Sequence, residues 1–261
     1  MDLCTVTNAK YVTHCLNLVS SYRINSYNKK VFIYLFDVDD DQASRLMPLF
    51  GPGTFFEKVP KKCDHAFHPT AFYYKTYALK DCLPKTSGMI YSDATNVFNR
   101  KYDLEQDLVD GSLFLPYNHP GLINELWTTD KCFEEMDCQS ARYMMQYWAG
   151  FQAYENTEEN ISFLNEMESL MLNPDIALPD TSIKNPDGPT RPCNEHRQDQ
   201  SVYSLLIHKR NRHNFYNPLL QSRYGDWQTY KVFDPNYVHD HDNMVLSSRE
   251  SKFGNMRFLQ Q

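Results

Sequence analysis

A chain of 261 residues and 30.7 kDa, 41% apolar and 23% charged, has the usage of a folded globular protein rather than a disordered one. Its formal net charge of −7 excludes the basic footprint that broad binding to nucleic-acid backbones requires. Seven cysteines, odd in number and without a C-x-x-C pair, point to neither a disulfide framework nor a zinc site. They fit a reducing compartment. The N-terminus lacks a basic start, an apolar core and a small-residue cleavage site, and no stretch approaches the ~20 apolar residues of a membrane span. The expectation is a cytoplasmic protein with no membrane span and no nucleic-acid partner.

In chain order, "LCTVT" at 3–7 predicts a short strand, and Tyr11, Cys15, Leu18, Val19 and Tyr22 then recur at helical spacing. "KVFIYLF" at 30–36 is a continuous apolar, β-branched and aromatic run, the pattern of a strand buried on both faces in a parallel sheet. In the following "DVDDDQASRLMPLF" Asp41 is the candidate cap of a short helix, and "GPG" makes a turn. A second helix is expected from about Pro69 to Pro84, leading into the strand "SGMIYS". Asp93 then stands at the carboxyl end of a parallel strand, where open α/β sheets bind ligands. The competing role is a turn or cap residue.

The back half predicts a strand in "SLFLPY", a turn or helix running into a strand in "DCQSARYMMQYWAGFQAY", and an amphipathic helix over "TEENISFLNEMESLML". The sequon Asn160-Ile161-Ser162 lies in that helix. Residues 173–195 hold five prolines and read as a long functional loop. After it, Asp199 and Gln200 open a helix continued by Ser201, Val202, Leu205 and Leu206. A carboxylate there is favoured by the helix dipole, whether it acts or only caps. Low-complexity tracts and repeats are absent from the sequence, and a single domain is expected over 1–261.

The ordered set "FYYKTYALKDCL", "GMIYSDATNVF", "ELWTTDKCFEEMD", "YWAGFQAY" and "EHRQDQSVYSLL" resembles a group of GT-A-fold glycosyltransferases found in bacterial surface-polysaccharide clusters and large DNA viruses. The resemblance covers roughly residues 3–210, and its most specific piece is "HRQDQSVYSLL". It implies an α/β, Rossmann-like fold with a mostly parallel sheet flanked by helices. The implied activity is sugar transfer from a nucleoside-diphosphate donor, UDP-linked, to a glycan acceptor hydroxyl, by a single glycosyltransferase domain with its nucleotide-binding part in about 1–110 and the acceptor part and C-terminal tail in about 111–261.

In that group the strand equivalent to "MIYS" ends in an Asp-x-Asp motif that holds a divalent metal, Mn²⁺ or Mg²⁺, on the donor diphosphate. Asp93-Ala94-Thr95 matches its first position and departs at its third, which implies weaker metal dependence with Asp93 still required. Asp37, Asp39, Asp40, Asp41 and the "HDHD" segment, His239 to Asp242, are the compensating candidates, with His241 chosen as metal ligand and Arg249 as diphosphate contact. The resemblance also places Thr5, Thr7, Asn8 and Asp37 around the nucleotide and Lys75 and Thr95 near the diphosphate or sugar. Trp127, Trp148, Gly150 and Gln200 fall on the acceptor side, and Asp199 is the catalytic carboxylate. Two other classes stay open: a metal-dependent hydrolase and an inactive sugar- or nucleotide-binding domain.

Overall fold

A computed structural model of the chain describes residues 1–25, 29–62, 71–98, 104–117, 120–178, 196–212 and 245–247. The chain opens as a βαβ unit, with β1 (Asp2–Thr7), α1 (Val12–Asn25) and β2 (Val31–Leu35), and continues through α2 (Asp40–Leu46) to β3 (Thr54–Lys58). It then returns through α3 (Tyr73–Cys82) to β4 (Gly88–Ser92). Every residue of β2 and β4 is buried, as their unbroken apolar runs dictate for strands covered on both faces. The rest comprises β5 (Asn96–Phe98), β6 (Ser112–Leu113), α4 (Asn124–Trp127), α5 (Asp130–Glu135) and β7 (Phe151–Glu155), then α6 (Glu158–Met171), α7 (Pro174–Ala177), α8 (Gln198–Lys209) and β8 (Val245–Ser247).

The main sheet runs β3-β2-β1-β4-β7-β6, and β5 pairs separately with β8. Strands β3, β2, β1 and β4 are parallel, while β7 runs antiparallel to both β4 and β6. The fold is therefore α/β with a mostly parallel sheet and one reversed strand. Successive side chains leave opposite faces. Cys4, Phe32, Tyr34, Met89 and Tyr91 join a core with Leu79 of α3, Leu164 of α6 and Leu205 of α8. Their neighbours Leu3, Val31, Ile33 and Ile90 join another with Leu18 and Tyr22 of α1. After β1 the chain builds outward through β2 and β3, then crosses back to lay β4 on β1's other side. The carboxyl ends of β1 and β4 thus form the point where the strand order reverses, and a crevice opens there.

Several expectations are corrected. The cap of α2 is Asp39, not Asp41: its carboxylate accepts the Gln42 N–H at 2.7 Å and the Gln42 side chain answers to the Asp39 N–H, a reciprocal box at the first turn. Asp41 instead pairs with Arg45 one turn on. The "GPG" turn is present, with Gly51 and Gly53 at φ of 70° and 73°, but it feeds an edge strand, β3, that the alternation of "TFFEK" had not disclosed. Of "SLFLPY" only Ser112–Leu113 enters the ladder, with an isolated bridge at Pro116. The segment expected to be all loop from 173 begins with α7, capped by Asn173; residues 179–195 lie outside the described part. Asn160 of the sequon is fully buried, its amide donating to the Gly111 and Glu155 carbonyls at 2.8 and 2.9 Å, so it fastens α6 to the start of β6 and the end of β7.

Candidate functional site

The crevice at the β1/β4 switch point is a cleft of about 500 Å³. Its floor is made by three charged side chains from three elements. Asp93 follows β4, Lys75 lies in the first turn of α3, and Asp199 lies in the first turn of α8. The Lys75 ammonium stands 2.7 Å from Asp199 Oδ2 and 3.2 Å from Asp93 Oδ1. Lys75 and Asp199 are only 5% and 4% exposed, so this is a built ion cluster and not a surface pair. The Tyr91 hydroxyl donates to Asp93 Oδ1 at 3.0 Å, and the Lys75 ammonium lies over the rings of Phe72 and Tyr91, 5.5 and 5.8 Å from their centroids.

The local chain explains these positions. The Asp93 N–H donates to the Gly150 carbonyl and its own carbonyl accepts the Asn96 N–H, so the residue sits in a turn while its carboxylate points to Lys75. Asp199 does not cap α8. Arg197 holds that position without a side-chain cap bond, and the Asp199 carboxylate is committed to the ammonium. Phe72 before α3 and Gln198 at the start of α8 have φ of 56° and 31°, a left-handed backbone uncommon away from glycine. Both line the cleft, where such strain concentrates when surrounding packing enforces it.

Electrostatics follow burial and pairing. Burial raises the Asp199 carboxyl above its usual range, against the pull of Lys75, which favours the ionised form. For Lys75, burial opposes the charge, but the two carboxylates outweigh it and its pKa is raised. His196, also at the cleft, is pushed down to about 4 by burial. Its Nδ1 accepts the Thr129 N–H at 3.4 Å, which leaves Nε2 to donate to the Ile176 carbonyl at 3.0 Å. It is therefore a neutral anchor joining the start of α8 to α5 and α7. Beside it, the Arg197 guanidinium stacks on the Trp127 indole at 3.9 Å, and the Arg197 N–H donates to the Trp127 carbonyl at 3.1 Å. Among the described residues, the charged side chains lining the cleft are Lys75, Arg197, Asp93 and Asp199, so with His196 neutral these charges balance.

The walls are polar and aromatic. Trp148, Tyr11 and Tyr117 contribute rings, and Thr7 and Asn8 stand at the end of β1. Asn8 also accepts the Lys10 and Tyr11 N–H groups through its side chain at the approach to α1. Gln200 donates to Gln146 at 2.8 Å and accepts from the Tyr117 hydroxyl at 3.3 Å. Gly150 has a steric reason: a Cβ there would come 2.6 Å from Trp148 Nε1 and 2.8 Å from Asp93 Oδ2.

Thr7, Asn8, Lys75, Asp93, Thr95, Trp148, Gly150, Asp199 and Gln200 are thus brought to one cleft. Three residues chosen with them are not. Thr5 is fully buried and its hydroxyl donates to the Ser92 carbonyl at 2.8 Å, which ties β1 to β4. Asp37 stands exposed beyond β2, at a φ of 53°, and does not line the cleft. Trp127 donates its indole N–H to the Gly121 carbonyl at 2.6 Å and reaches the cleft only through Arg197. Asp40 pairs with Lys58. His239, His241, Asp242 and Arg249 lie outside the described residues. Tyr11, Phe72, Tyr91, His196 and Arg197 were missed; only the His-Arg pair had a signal, its place at the head of "HRQDQS".

Among the described residues no group of three or more His, Cys, Asp or Glu could hold an ion. Two carboxylates already closed around an ammonium, with threonine at the third motif position, do not fit the divalent cation that the resemblance implies. Also among the described residues, no helix is long and apolar enough to cross a membrane, and Cys4, Cys15, Cys82, Cys132 and Cys138 are free and buried.

No family model matches the sequence, and no curated protein matches it. Among solved structures the chain is similar to the apo structure of WbbM, a bifunctional glycosyltransferase, with a TM-score of 0.45 and 10% identity. The likeness covers 68% of this chain and 37% of that one.

Proposed function

We propose that the chain is a glycosyltransferase that moves a sugar from a nucleoside-diphosphate sugar, UDP-linked, to a glycan acceptor hydroxyl. The observation that carries this reading is the convergence of Asp93, Lys75 and Asp199 in a cleft at the β1/β4 switch point. Open α/β sheets bind nucleotides at such a point. A cleft walled by rings and floored by carboxylates suits a sugar, whose faces pack on aromatic rings and whose hydroxyls donate to acids.

In this reading Thr7, Asn8 and Tyr11 surround the base and ribose, and the sugar lies over Asp93 and Asp199. As the donor bond breaks, negative charge grows on the leaving diphosphate. Arg197 offers it a planar fork of donors, and Lys75 supplies a second cation from beneath. Trp148 and Gln200 flank the acceptor. Asp199 is oriented by Lys75 and takes hydrogen bonds from sugar or acceptor hydroxyls; its raised pKa fits a group able to accept a proton as transfer proceeds. The same engagement of both carboxylates by one ammonium favours a second reading, a domain that binds the nucleotide sugar without turning it over.

A thermal-shift panel of UDP, GDP and CMP followed by a donor-turnover screen decides between these readings. Selective stabilisation by UDP with release of UDP from a UDP-sugar supports the transferase. Stabilisation without turnover supports the binding domain, and stabilisation by none of the nucleotides refutes both.

A further inference from the structure

We infer that this site carries its own cation: the Lys75 ammonium holds the position between Asp93 and Asp199 that a divalent ion would need, and nucleotide binding proceeds without metal. The second clause rests on the glycosyltransferase reading; the first does not. Three independent features converge. The ammonium is within 2.7 and 3.2 Å of one oxygen from each carboxylate, so both acids address a single central charge. It reaches that point from a buried stem on α3, over the rings of Phe72 and Tyr91, and is fixed by the fold rather than recruited from solvent. A Cβ at Gly150 would come 2.8 Å from Asp93 Oδ2 and 2.6 Å from Trp148 Nε1, so the carboxylate's second oxygen faces closely packed backbone. A divalent ion entering this centre would have to displace the ammonium into a buried, ring-lined space.

Removing the ammonium should therefore create what the wild type lacks. Hard divalent cations take carboxylate oxygens, and a neutral side chain at position 75 leaves two acids facing a vacated centre. The experiment uses the full chain without nucleotide, as wild type, Lys75→Met, and Lys75→Met combined with Asp199→Asn. Bound Mn²⁺ is counted by loss of the free-ion electron paramagnetic resonance signal, and melting is recorded in Mn²⁺ and in EDTA. Lys75→Met should bind one Mn²⁺ more than wild type and melt higher in Mn²⁺ than in EDTA; the double variant should do neither. If Lys75→Met fails to fold in EDTA, recovery of the fold in Mn²⁺ but not Ca²⁺-free EDTA buffer supports the inference, and failure in both while the double variant folds overturns it. Equal Mn²⁺ counts for Lys75→Met and wild type also overturn it.

A second arm measures UDP binding to the wild type by calorimetry. The dissociation constants in Mn²⁺ and EDTA should agree within about threefold, and a loss of more than about tenfold in EDTA refutes metal-independent binding. No UDP binding under either condition refutes the proposed function, while the Mn²⁺ counts still decide the identity of the central cation.

Discussion

At the scale of single residues, burial sets both the chemistry and its pH limits. His196 is held neutral with a pKa near 4 against an ordinary value of 6.5, so the unfolded chain takes up a proton before the folded one as pH falls. Its contribution to stability is therefore fully present above pH 6.5 and is lost between 6.5 and about 4, a difference of roughly 3 kcal/mol. Urea unfolding across that interval should show wild type losing more stability than His196→Gln by about this amount; parallel pH curves for the two proteins would mean that the imidazole is not held neutral. Asp199 is the other test. Asp199→Asn keeps the shape and leaves Lys75 paired with Asp93, so UDP affinity should stay within about threefold while turnover falls by about 10² or more. A turnover within about threefold of wild type would leave Asp199 a structural partner of Lys75 only.

At the scale of elements, each helix start does a different job, and the sequence reveals these jobs unevenly. The α2 box is local, so Asp39→Ala should cost about 1 kcal/mol in denaturant unfolding and leave UDP turnover at the wild-type level. A larger loss, or lost turnover, would mean that α2 communicates with the cleft. Gly150→Ala is the opposite case. Its Cβ would collide with Trp148 Nε1 and the Asp93 carboxylate, so nucleotide-sugar turnover should fall by about tenfold or more with a stability loss of about 1–3 kcal/mol. Unchanged turnover would show that the cleft tolerates a shifted Asp93.

The same contrast explains what was legible. Strands β2 and β4 were readable because both faces are buried and the apolar runs are continuous. Edge strand β3 was not, because none of its residues is fully buried and "TFFEK" mixes signals. Asp39 and Asp41 are both acids before a helix, and only hydrogen-bond geometry separates cap from first-turn residue. Among the candidate residues, Asp93 was placed by its strand end and Asn8 by the resemblance, and both line the cleft. Thr5 was misplaced because it shares Thr7's face of β1 but lies two residues back from the strand end, where its hydroxyl ties β1 to β4 instead of reaching the cleft. The Lys75 cluster joins residues up to 124 positions apart, and no local pattern announces that their charges meet.

At the scale of the whole molecule, the arrangement follows from topology. The return crossover through α3 places β4 beside β1, brings Lys75 over the sheet edge and puts Asp93 beside Thr7 and Asn8. Helix α8, packed on the same face as α3 and α6, then delivers Asp199 from the far end of the described chain to the same ammonium. Three separate segments must therefore dock before the site exists, and the cleft is a property of the assembled sheet. The most direct test is release of UDP from a UDP-sugar panel, with acceptor glycans present, by wild type and Asp93→Ala, with Asp39→Ala as the folded control. Turnover of at least one donor by wild type and by Asp39→Ala, falling by about 10² or more in a folded Asp93→Ala protein, is the expected result. Equal turnover in all three proteins, or none in wild type with any donor, would contradict it.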